Sequence, residues 1–274
     1  NFIHFTNISS LQSIISNGNL RLYNLRHLKD PREYHYAGSL FPFFPEYLDD
    51  AKDNFFLLSM CEKSIVTSDS TIESEFNMWR LYGNEGMGAA IQLSFDSLDP
   101  LEWIDVYLSR VYYGSQSKTK IQELKKYLED YASQMPEITI DIGQIACFHK
   151  SSLYRLEQEI RLLFDHRTVK NISSTKHYFN SELISPIIKT DISKSTNENN
   201  KVKYFELPIY STKLNPSSVF ENIPIPKIEK IILGYQYDND FEKVSKMLKD
   251  LGNKQLGYDI QIEKSRLTDR YNLK

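Results

Sequence analysis

The stretch that most constrains this chain is Leu156-Glu157-Gln158-Glu159-Ile160-Arg161-Leu162-Leu163-Phe164. Read as a β-strand, it alternates with period two, because successive side chains of a strand point to opposite faces. Leu156, Gln158, Ile160 and Leu162 then share one face, and Glu157, Glu159 and Arg161 form a row on the other. Two carboxylates and one guanidinium are costly to bury unless they are paired. The row therefore faces water as an edge strand with a cross-face ion pair, or it lines a polar cleft. Read as a helix, positions 157 and 159 diverge and the row dissolves.

The flanking sequence frames that strand. Ile3-His4-Phe5-Thr6 reads as a short opening strand. An amphipathic helix follows, capped by Asn7 or by Ser9-Ser10 and closed at Asn17-Gly18, and Leu20 to Tyr23 reads as a second short strand. Asn24 to Tyr34 is dense in polar groups and contains the turn initiator Asp30-Pro31. Phe41-Pro42-Phe43-Phe44-Pro45 is an aromatic loop expected to fill a core edge or close over the molecule as a lid. Phe55 to Cys61 reads as a buried strand, residues 64–72 as a loop, and Glu75 to Tyr82 as a short helix. Gly83 to Gly88 is a glycine-rich turn leading into the strand Ala89 to Phe95. Phosphate-binding loops of the Walker and Rossmann kinds lead into a helix instead, so neither motif is present here. A tight hairpin, or close approach of backbone to a ligand, accounts better for these glycines.

Beyond this, strands are expected at Val106–Tyr113, Val202–Ile209, Ile228–Leu233 and Tyr258–Glu263. Helices are expected at Lys118–Ser133, Ile138–His149 and Phe241–Leu251. Residues 193–200 read as a disordered loop. Strands and helices mix without strict alternation or repeats, which predicts one α+β domain over residues 1–274.

Charge and cysteine usage narrow the function classes. Lys and Arg number 33 against 36 Asp and Glu, a net charge of −3 without a long basic run, which argues against a dedicated nucleic-acid coat. No window approaches the roughly 18 apolar residues of a membrane-spanning helix. Cys61 and Cys147 have no spacing suited to zinc, and a reducing, cytoplasmic setting is expected. No GxSxG elbow surrounds Ser59, so a hydrolase built on Ser59 or Cys61 is disfavoured.

The constellation expected to carry chemistry is Glu157 and Glu159 with His4 and Thr6, groups suited to acid–base work or to gripping ribose hydroxyls. Trp79-Arg80-Leu81-Tyr82-Gly83 offers an aromatic platform and a cation, or else a core tryptophan beside a surface arginine. Asp30 and Glu33 suit a helix cap or a metal ion, and His149 beside Lys150 offers a second basic group whose partner the sequence does not specify.

In order, the motifs resemble a widespread, uncharacterised bacterial domain family. The residues that carry the resemblance are His4-Phe5-Thr6, Asp30-Pro31-Arg32-Glu33, Trp79 to Gly88, Glu157 to Arg161, Ile228 to Gly234, and Ser265 to Arg270. Lys29 departs from the pattern, which has Asn there. The layout is also similar, more distantly, to the ADP-ribosyltransferase fold, which implies split mixed β-sheets with flanking helices. That resemblance implies NAD as the substrate, with Glu159 stabilising the cationic ribose and Glu157 orienting the acceptor. It places His4 and Thr6 on the nucleoside, Tyr82 or Tyr34 against nicotinamide, and Arg80 or Arg21 on the pyrophosphate. It implies no bound metal, a protein or nucleic-acid acceptor, and a toxin or phage-defence setting with an antitoxin or immunity partner. A plain NAD glycohydrolase is a close variant, and a non-catalytic nucleotide-binding or partner-binding sensor on the same fold is the rival expectation. A metal-dependent nuclease built on Asp30, Glu33 and the late glutamates comes third.

Overall fold

A computed structural model describes residues 1–27, 36, 52–67, 72–95, 103, 105–114, 118–134, 143–167, 188–191, 202–213, 223–237 and 240–268. Asp30, Glu33, Tyr34, the aromatic loop 41–45 and the segment 193–200 lie outside the described residues.

The chain opens as its caps dictate. Strand β1 (Phe2–Thr6) leads into helix α1 (Ile8–Asn17), where Asn7 Oδ1 accepts from the Ser10 backbone N–H at 2.7 Å. Leu11 and Ile15 bury one face of α1, and Gly18, left-handed at φ 64°, ends it. Strand β2 (Asn19–Asn24) then alternates, with Leu20 and Leu22 in the core and Arg21 and Tyr23 on the other face.

Strand β3 (Phe55–Glu62) is the hub, because it is bonded on both edges and buried on both faces. One edge pairs antiparallel with β8 (Glu159–Asp165), from Phe55 opposite Asp165 to Cys61 opposite Glu159. The other edge is shared. β1 takes only Cys61 and Glu62, opposite Ile3 and Phe2, and β2 takes only Phe56 and Leu57, opposite Asn24 and Tyr23. Among the described residues, no strand pairs with that edge at Leu58–Met60. Instead of the expected split sheets, the main strands among the described residues form one continuous ten-stranded mixed sheet that is interrupted at this gap. β4 (Ala89–Phe95), β11 (Pro226–Leu233) and β12 (Gln261–Lys264) extend it beyond β1, β10 (Val202–Pro208) and β9 (Ile188–Asp191) extend it beyond β2, and β5 (Val106–Arg110) adds to β8. β6 (Tyr112–Tyr113) and β7 (His149–Lys150) form a separate parallel pair.

Of the remaining helices, α2 (Ser64–Thr67) and α3 (Ile72–Leu81) follow β3, α4 (Lys118–Gln134) and α5 (Gly143–Cys147) precede β7, and α6 (Phe241–Gln255) crosses between the parallel strands β11 and β12. The segment expected to be a loop at 64–72 thus begins as helix. The helix expected over 138–149 is described only at 143–147 before the chain turns extended.

β8 keeps its predicted alternation only from Glu159 onward. Ile160, Leu162 and Phe164 enter the main core with Leu11, Leu58 and Ile91, while Leu163 packs with Phe55 and Phe148 behind the sheet. Upstream, residues Ser152–Glu157 form a 3-10 turn, and Gln158 is left-handed at φ 43°. Leu156 is therefore exposed rather than in the core. Glu157 sits at the end of this turn and reaches the polar cluster from there.

The glycine-rich turn serves packing. A Cβ on Gly88 would lie 2.3 Å from the Thr6 carbonyl oxygen, and one on Gly234 would lie 2.2 Å from that of Gly86. Backbone lies against backbone, so these glycines bring β1, β4 and the end of β11 together. Trp79 is wholly buried, edge-on to Phe5 at 5.0 Å. It is a core residue, and Arg80 beside it is exposed.

Candidate functional site

A cleft of about 530 Å³ opens where β3 loses its partner strand. Its walls are His4 and Thr6 of β1, the polar face of α1, Arg21 and Tyr23 of β2, and Ser59 and Cys61 of β3. Tyr82, Lys150, Glu157, Glu159 and Arg161 also line it. A second, more open depression beside Asn1, Glu62 and Arg110 carries no comparable cluster.

The gap itself places His4. Its Nδ1 lies 2.9 Å from the backbone carbonyl oxygen of Ser59, in the unpaired segment of β3. A carbonyl only accepts, so Nδ1 carries the proton and the neutral ring keeps Nε2 as an acceptor. Burial lowers the histidine pKa, with the bond to Ser59 opposing, so the ring is neutral at pH 7.

Four buried charges cluster in the cleft. Lys150 Nζ bridges the two carboxylates, 2.8 Å from Glu157 Oε2 and 2.7 Å from Glu159 Oε2. Arg161 clasps Glu159 from the other side, Nε to Oε1 at 2.9 Å and Nη2 to Oε2 at 3.1 Å, and its Nη1 donates to the Cys147 carbonyl. Tyr82 donates its hydroxyl hydrogen to Glu157 Oε1 at 2.6 Å. The backbone N–H of Glu159 donates to the Tyr113 hydroxyl at 2.9 Å. Two positive and two negative charges cancel, which is what allows all four to be buried.

The electrostatics follow from this packing. Burial raises the Glu159 pKa, against the opposing pull of Lys150 and a hydrogen bond from Ser59. Burial alone would lower that of Lys150, but Glu159 and Glu157 outweigh it and hold the ammonium charged. Burial brings Arg161 down to about 9, so the guanidinium stays charged at pH 7. Burial, then the bond to Glu157, pushes the Tyr82 phenol up, which keeps it a donor. The Cys61 thiol is raised by burial and by the neighbouring carboxylates, so it stays protonated and is no nucleophile at neutral pH.

Six of the eight residues singled out in the sequence, His4, Thr6, Arg21, Tyr82, Glu157 and Glu159, line this one cleft. Arg80 does not line it, and Tyr34 lies outside the described residues. Arg21, on β2, holds its guanidinium 4.3 Å from the centre of the Tyr204 ring. Lys150 is the residue that sequence reasoning underrated. The signal was the surplus carboxylate of the Glu-x-Glu-x-Arg row, which demands a second cation if the row is buried. His149, its neighbour, instead bonds the Ile145 carbonyl at 2.8 Å and stacks on Tyr112. Among the described residues, no group of three or more His, Cys, Asp or Glu is placed to hold a metal ion, and no helix is long and apolar enough to cross a membrane.

Residues 78–162 match the model of a family described as a protein of unknown function (DUF2971). The resemblance to an uncharacterised domain family is borne out over that stretch. It contains Tyr82, Lys150, Glu157, Glu159 and Arg161, whereas His4, Thr6 and Arg21 precede it. No curated protein and no solved structure matches the chain.

Proposed function

We propose that the protein is an ADP-ribosyltransferase-like enzyme that cleaves NAD at the nicotinamide–ribose bond and passes ADP-ribose to a protein or nucleic-acid acceptor. The observation that carries this reading is convergence. Residues 4, 6, 21, 82, 157 and 159, from widely separated parts of the chain, line a single cleft. A dinucleotide laid along it would meet Arg21 with its pyrophosphate, His4 and Thr6 with ribose hydroxyls, and the carboxylate pair with the ribose that becomes cationic. As the bond from ribose C1′ to the pyridinium nitrogen breaks, its electron pair leaves with nicotinamide, which departs neutral. The oxocarbenium carbon gains a bond to an acceptor or water oxygen, whose proton passes through a carboxylate to solvent. A fixed anion beside the developing cation, in a site with little water, lowers the barrier. The setting that fits is a cytoplasmic toxin or phage-defence effector, held in check by an antitoxin or immunity partner.

One observation favours a second reading, a non-catalytic nucleotide-binding or partner-binding sensor: both oxygens of Glu159 are already engaged by Arg161 and Lys150. The test is NAD binding by calorimetry together with nicotinamide release, with and without nucleic acid and cell extract. Release above the protein-free rate is the expected result. Binding without release makes the protein a sensor, and neither binding nor release overturns the NAD reading.

A further inference from the structure

The two carboxylates are not equivalent. A carboxylate offers about four lone-pair directions. Glu159 receives four donors: Nε and Nη2 of Arg161, Nζ of Lys150, and the Ser59 hydroxyl. Its acceptor capacity is used up, and it is 4 % exposed within the strand ladder. Glu157 receives one donor on each oxygen, Tyr82 on Oε1 and Lys150 on Oε2, and so keeps a lone pair on each. It stands on the 3-10 turn beside left-handed Gln158, outside the β8 ladder, with its side chain in the cleft.

We infer that Glu157, rather than Glu159, is the carboxylate that meets the ligand. Glu159 with Arg161 and Lys150 forms the frame that holds it, and Tyr82 fixes its orientation. This rests on the NAD reading and assigns its roles. Glu157 faces the cation forming at ribose C1′ as the C1′–N bond breaks and the electron pair leaves on nicotinamide. It then takes the proton of the oxygen nucleophile that bonds to C1′ and releases it to solvent. Tyr82 is a positioning residue: its hydroxyl donates to Oε1 and fixes the orientation of the Glu157 carboxylate.

The experiment compares wild type, Glu157→Gln and Tyr82→Phe for melting temperature, NAD affinity by calorimetry, and nicotinamide release at saturating NAD. Glu157→Gln keeps a donor and an acceptor in place. It is expected to fold and bind NAD within about threefold of wild type, while release falls on the order of 100-fold or more. Tyr82→Phe is expected to lower nicotinamide release at saturating NAD while NAD affinity stays within about threefold of wild type, a split that lost packing alone would not produce. Glu157→Gln that releases nicotinamide at the wild-type rate overturns the assignment and leaves the NAD reading standing. Should Glu157→Gln fail to fold, Tyr82→Phe that releases nicotinamide at the wild-type rate overturns it equally. Wild type that neither binds nor splits NAD overturns both.

Discussion

Lys150 is the residue on which the charge cluster balances. Its side chain is 6 % exposed and contacts both carboxylates. Replacing it with Met keeps much of the volume and removes the charge, leaving Glu157 and Glu159 to share Arg161. Breaking a buried ion pair by removing one partner typically costs about 3–5 kcal/mol, because an uncompensated charge stays behind. Lys150→Met is expected to lose stability in that range in urea unfolding at pH 7. In wild type the lysine pKa is raised above its ordinary 10.5. Its stabilisation is therefore full below that pH and is lost as pH rises through the folded-state value. The Met variant should lack that alkaline limb. Lys150 was hard to see in the sequence because what makes it central is a contact with a row seven and more residues away, and nothing local marks a lysine as buried.

Among the elements, caps and alternation were the legible part. Asn7, Gly18 and the period-two runs of β1, β2 and β8 report local backbone preferences, which act over a few residues. The strand containing Glu159 was read as starting at Leu156 because its letters alternate that far. The chain breaks at Gln158, and a non-glycine residue at positive φ leaves no clear mark in sequence. β7 is two residues long, too short to carry a pattern, yet it delivers Lys150. The glycines were legible as a turn, but their reason is tertiary. Gly88→Ala would force a methyl group against the Thr6 carbonyl, and overpacking against backbone that cannot move aside costs about 1–3 kcal/mol or more. Gly18→Ala meets nothing within 4 Å and bears only the left-handed strain, about 1 kcal/mol. Melting temperatures of the two variants should fall in that order, and a larger loss at Gly18 would contradict the packing described here.

At the scale of the whole molecule, the sheet is joined across its middle by two short pairings and by the His4 side chain on Ser59. The α+β class followed from the mixing of strands and helices, whereas the meeting of six expected residues in one cleft could not be read from the order of motifs. The gap in the sheet was not legible, since it depends on where β3 exchanges β2 for β1. His4 ties this seam to pH. Its pKa is lowered in the folded protein, so below about 6.5 the unfolded chain binds a proton that the folded one does not. Stability should therefore fall as pH drops through 6.5 toward the folded-state value, with a slope of at most about 1.4 kcal/mol per pH unit for one proton. His149, also lowered, adds to this limb, and Glu159, raised, opposes it at lower pH. The difference in slope between wild type and His4→Gln, measured by urea unfolding from pH 7.5 to 5, isolates the part due to His4, and equal slopes would remove it from the account. The four buried charges, for their part, all come from residues 150–161. During folding they can neutralise one another inside one short loop, with little closure entropy to overcome. The chain need not wait for its distant ends to meet before hiding charge from water, and the walls that would grip a ligand, from residues 4 to 23, can arrive last around a core of charge already settled.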